Sequence, residues 1–61
     1  MLTERIYICT NAARVGLLRA IVQPYLVEEE GPTEHDPNYL LTVDVPMLEW
    51  NNLKQVILGT N

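Results

Sequence analysis

Apolar side chains crowd this chain beyond what a body of its size readily hides. They make up 48% of 61 residues. A domain of about 60 residues buries only about 60% of the surface that its unfolded chain exposes. One small core therefore leaves oily surface over, and self-association is the leading expectation. The length allows a single small domain, residues 1–61.

The charge balance narrows the choice of partner. Eight acidic residues face four basic ones, a net charge of −4. The isoelectric point is near 4.6. Phosphate-backbone binding needs clustered Lys and Arg. Arg5, Arg14, Arg19 and Lys54 are scattered, so no direct nucleic-acid binding is expected. Cys9 is the only cysteine, which rules out an intrachain disulfide and a Cys₂-type zinc site. Small secreted domains usually carry several cysteine pairs, so a reducing cytoplasm is the better fit. The first residues lack the charged and apolar regions of a signal peptide. The longest apolar run, Val15 to Val22, is broken by Arg19 and falls short of the roughly 18 to 20 residues that span a bilayer. No membrane association is expected.

The pattern along the chain alternates strand and helix signals. Arg5 to Thr10 is β-branched and aromatic, with Ile6 and Ile8 on one face and Tyr7 and Cys9 on the other. Two apolar faces suggest a central strand, or one covered on both sides. Asn11 suits a helix N-cap, because its side-chain oxygen can accept from a free amide of the first turn. Ala12 to Val22 then reads as a helix. Val15, Leu18 and Val22 form its stripe, with Leu17 and Ile21 beside it and Arg14 and Arg19 marking the polar side. Pro24 stops it. Tyr25 to Glu30 reads as a second strand and Gly31 to Asn38 as a loop. Tyr39 to Val45 is a third strand, with Leu41, Val43 and Val45 alternating against Leu40, Thr42 and Asp44. The second and third strands form a hairpin across the acidic loop.

The last segment reads two ways. Pro46 suits a first helical turn, Trp50, Leu53 and Ile57 share a stripe, and Gly59 is a natural stop. That favours a helix from Met47 to Leu58. Against it stand Asn51-Asn52, poor in a helix interior, and the β-branched tail Lys54 to Leu58. The favoured architecture is α+β, a β-α-β-β-α unit with a three-stranded sheet and helices on one face. The alternative makes the tail a fourth strand, in a ferredoxin-like βαββαβ order.

Candidate chemistry is sparse, and neither an enzyme nor a cofactor is expected. Glu28, Glu29, Glu30, Glu34, His35 and Asp36 crowd nine residues, but their spacing matches no metal-binding motif. A charged loop facing solvent or a protein partner is the expected role, with no metal. Cys9 is expected to be buried as a small hydrophobe, since nothing brings His35 to it. The best ligand candidate is the strand-to-helix junction, where Asn11 and Arg14 flank the amides of a helix N-terminus. For partner binding the candidates are Glu28, Glu29 and Glu30, which supply charge, and Trp50 and Leu53, which supply apolar contact beside Met47.

These readings converge on a small acidic interaction protein without catalytic groups. It self-associates and binds or inhibits a larger protein. In size and character, not by motif, it is similar to accessory or phage-encoded regulators. The alternative is a homo-oligomer that holds a nucleotide or other anionic ligand at subunit interfaces, near Asn11 and Arg14.

Overall fold

A computed structural model describes residues 2–59. The order is β1 (Thr3–Thr10), α1 (Ala12–Val22), β2 (Leu26–Glu30), β3 (Tyr39–Pro46) and α2 (Met47–Gly59), with a short 3-10 turn over Gln23–Tyr25. The sheet order is β1-β3-β2, and β3 is antiparallel to both neighbours. The outer strands are therefore parallel to each other, with β3 inserted between them, a split β-α-β arrangement. This is the α+β unit expected from the sequence.

Local chemistry explains each boundary. Asn11 holds an extended backbone, and its Oδ1 accepts from the Arg14 amide at 3.0 Å. Its carbonyl accepts from the Val15 amide at 2.9 Å. The side-chain bond engages one of the four donors that a helix start leaves unpaired, and the carbonyl bond is the first of the helix's own ladder. Pro24 ends α1 through the 3-10 turn, from which Leu26 donates back to the Gln23 carbonyl. The C-terminal segment is helix, not a fourth strand. Leu53 reaches the core, Trp50 and Ile57 pack beside it, and Asn51 and Asn52 face solvent. Burial of that stripe outweighs the weak helix propensity of the paired asparagines.

The core lies between the sheet and the helices. Leu41, Val43 and Val45 of β3 are fully buried, against Val15, Leu18 and Val22 of α1 and Leu53 of α2. Ile6 and Ile8 face the same layer from β1, opposite Val43 and Leu41, and are half-buried. The other face of the sheet has no helix over it. It carries Arg5, Tyr7 and Cys9 from β1, Leu40, Thr42 and Asp44 from β3, and Glu28 and Glu30 from β2. The molecule is correspondingly flat, 38 × 23 × 15 Å, with a radius of gyration of 11.7 Å. A compact chain of this length would have about 10.5 Å.

Two expectations are corrected here. β1 is an edge strand with one bare face, neither central nor covered on both sides; the central strand is β3. Cys9, on that bare face, is exposed and not buried. The two-sided apolar pattern of β1 records side chains left uncovered, which the sequence cannot distinguish from side chains covered twice.

The one-sided core makes its own prediction. Leu41→Ala should cost about 2–5 kcal/mol, a large share of the roughly 3–9 kcal/mol expected for a chain of this length. Leu48→Ala, at a side chain 95% exposed, should stay within about 0.5 kcal/mol of the parent. Urea denaturation of both variants checks the contrast.

Candidate functional site

The seven buried apolar side chains of the core are matched by eight large ones left exposed among the described residues. Three of the eight meet at one end of the molecule. The Met47 amide donates to the Leu2 carbonyl at 3.1 Å, which ties the first turn of α2 to the start of β1. Pro46 lies at the strand-to-helix corner between them. Leu2, Pro46, Met47, Leu48 and Glu49 then line an open hollow of about 600 Å³. Leu2 is 76% exposed, Met47 52% and Leu48 95%. Leu48 stands about 140–180° around α2 from Trp50, Leu53 and Ile57, at 3.6 residues per turn, so the intrachain core has no use for it.

The hollow has one anchored polar group. The Tyr25 hydroxyl donates a hydrogen bond to the Glu49 carboxylate. This bond joins the 3-10 turn to the first turn of α2 and holds Glu49 at the rim. The same bond, with some burial, raises the Tyr25 phenol above the ordinary tyrosine value. An acidic residue in the first helical turn also complements the positive end of the helix dipole.

The sequence-derived site residues do not form one site. Asn11 spends its side-chain oxygen on capping α1. Arg14, three residues on, is half-buried. Glu29 faces the helices and forms a paired bridge with Arg19, at 2.6 and 2.8 Å. Glu28 and Glu30 face the other way, on the bare side of the sheet. Trp50 is half-buried against the core and Leu53 is buried within it. Glu30 lies opposite Leu40, about 20 Å along β3 from Pro46 at the strand's rise per residue. The charge of β2 and the apolar hollow thus sit toward opposite ends of the sheet.

The acidic loop is ordered by its own short side chains. Thr33 Oγ1 accepts from the amides of His35 and Asp36, and Asp36 Oδ1 accepts from the Asn38 amide. His35 Nε2 lies 3.7 Å from Glu34, with both side chains nearly fully exposed. A small cavity of about 170 Å³ lies beside the loop, lined in part by Cys9, Glu30, Asp36 and Tyr39 but not by His35. Cys9 and His35 are thus not brought together there. Among the described residues, no three His, Cys, Asp or Glu side chains converge to hold a metal ion. No described helix is long and apolar enough to cross a membrane.

Reading the sequence alone missed Leu2, Pro46 and Leu48. For Leu48 a signal existed, since it falls off the Trp50–Leu53–Ile57 stripe. Leu2 gave none, because its place depends on the backbone bond to Met47. Comparison with protein-family models, curated proteins and solved structures finds no significant match.

The polar ties give the fold a pH signature. Hydrogen bonding to Arg19 holds Glu29 below the ordinary carboxylate range, and hydrogen bonding to Arg5 does the same for Asp44. Groups lowered on folding contribute stability that is present above their unfolded values and lost as pH falls through the folded ones. Tyr25 is raised, so its contribution is present below the unfolded tyrosine value and lost as pH rises through the folded one. Thermal melts across pH should show Arg19→Gln flattening the acid limb and Tyr25→Phe flattening the alkaline limb. Each change should be modest, since these groups are solvent-accessible.

Proposed function

We propose that this protein is a non-enzymatic interaction module that self-associates and binds or inhibits a larger protein, in the manner of an accessory or regulatory subunit. The observation that carries the partner-binding part of the reading is Leu48, 95% exposed beside Leu2 and Met47 around the hollow. Burying an aliphatic side chain is worth about 1.5–3 kcal/mol over leaving it in water. A partner that inserts apolar side chains between Leu2 and Leu48 would recover that free energy from several residues at once. Exposed apolar clusters rimmed by polar groups mark interaction surfaces in folded proteins. Glu49 at the rim, fixed by Tyr25, would set the orientation of the contact.

The carboxylates of β2 have a separate part in this reading. Glu28 and Glu30 on the bare sheet face supply negative potential, which steers a basic partner surface without adding much affinity. Trp50 and Leu53 act behind the contact, by holding α2 on the sheet so that Met47 and Leu48 are presented outward. We place the protein in the cytoplasm, where a lone exposed thiol such as Cys9 stays reduced. No cofactor or nucleic acid enters the proposal. An anionic-ligand site at Asn11 and Arg14 gains no support, because the Asn11 side chain already serves the helix cap.

Site-specific photo-crosslinking in the producing cell tests the proposal. A photoreactive residue at position 48 should give one discrete adduct, heavier than a second 7.0 kDa protomer would make it. The same residue at exposed position 55 should give none, and Leu2→Asp should abolish the adduct at 48. Equal labelling at both positions, or none at either, would contradict the proposal.

A further inference from the structure

The two edges of the sheet are not alike. The outer edge of β2 carries Glu28, Glu29 and Glu30 in succession, and its pairing with β3 is irregular between Leu26 and Glu28. Bulges and charged side chains are the devices by which edge strands repel further strands. A second β2 brought alongside would set carboxylate against carboxylate. The outer edge of β1 has no bulge, and its two charged residues, Glu4 and Arg5, carry opposite signs and lie toward one end of the strand. Its eight residues pair regularly with β3 from Thr3 to Thr10, and their other side has no strand partner among the described residues. Half of the strand's backbone donors and acceptors face outward along that edge.

The side chains of β1 are complementary to themselves in one register. We propose that two copies join edge to edge along β1, antiparallel about a twofold axis at Tyr7, to make a continuous six-stranded sheet with all four helices on one face. This rests on the reading of the protein as self-associating. Residues 4–10 of each copy pair in this register. On the helix-covered face, Ile6 meets Ile8 of the second copy, and Ile8 meets Ile6. These are the two half-buried isoleucines that the protomer leaves at the margin of its core. Glu4 lies across from Thr10. On the bare face, Tyr7, 64% exposed, meets Tyr7, and Arg5 lies across from Cys9.

Neighbouring registers are poorer. Centring the axis on Arg5 opposes two guanidinium groups, and centring it on Ile6 sets Glu4 against Ile8. Centring it on Ile8 leaves Ile6 across from Thr10. Only the Tyr7 register matches both isoleucines with isoleucines and opposes no like charges. Because the axis makes the contact isologous, the assembly closes at two copies and exposes only the guarded β2 edges.

Disulfide trapping tests the register. Directly opposed residues of antiparallel strands have Cα atoms about 4.5–5.5 Å apart, within disulfide range. In the Arg5→Cys variant the new thiol should meet native Cys9 of the second copy. Under a glutathione redox buffer it should form a covalent dimer, released by reductant. Within one strand the two positions lie about 13 Å apart, too far to bond. The parent, with only Cys9, should not be trapped.

Tyr7→Glu, at an exposed side chain, opposes two carboxylates on the axis. It should weaken the dimer at least tenfold while leaving the circular dichroism spectrum unchanged. Leu48→Glu should leave the dimer intact. Failure of the Arg5→Cys variant to crosslink, or equal trapping of the parent through Cys9, would overturn the proposed register. A dimer abolished by Leu48→Glu and indifferent to Tyr7→Glu would overturn the edge pairing while leaving self-association standing. A protomer that keeps the mass of one chain at every concentration would overturn both.

Discussion

Burial of one face of β3 under two helices is the contact on which the rest of the molecule depends. Leu41, Val43 and Val45 reach 0% exposure beneath α1 and α2. Each outer strand pairs with β3 and with nothing else in the sheet. Without that buried face there is no sheet for β1 or β2 to join. Because seven side chains make the core and all lie on one side of β3, the opposite face has no helix over it and the outer strand edges have no partner among the described residues. The uncovered surface follows from the same geometry that makes the fold possible.

The polar contacts have a different task. Arg5 and Asp44 lie directly opposite across β1 and β3, and their paired bridge at 2.9 and 3.0 Å matches the observed register. Arg19 with Glu29 fastens α1 to β2, and Tyr25 with Glu49 fastens the turn after α1 to α2. All three are accessible to water and add little stability. Their value lies in alignment. A one-residue slip of a strand exchanges its buried and exposed faces, and each tie favours the alignment that buries the apolar face.

Much of this architecture could be read from the chain. The period of two in Tyr39 to Val45, the Asn11 cap and the Val15–Leu18–Val22 stripe are local signals with local causes, and each element formed where its signal lay. The C-terminal helix was harder to read, because Asn51-Asn52 argue locally against it and only the packing of Trp50 and Leu53 on the sheet decides for it. The place of β1 was misread for a related reason. Lateral order depends on which strand edges meet, and that is a property of the whole sheet. The candidate site was the least legible part. Leu2 and Leu48 are 46 positions apart in sequence and become neighbours through a single backbone bond at the strand-to-helix corner.

A protein with this one-sided core is expected to complete its sheet with a second copy, and amide hydrogen exchange along β1 measured across a dilution series reads that completion directly. The outward-facing amides between Glu4 and Thr10 should be protected in concentrated protein and lose protection on dilution, while the amides of β3 stay protected throughout. Exchange along β1 that is fast and indifferent to concentration would show that the edge stands open in solution, and would contradict the account.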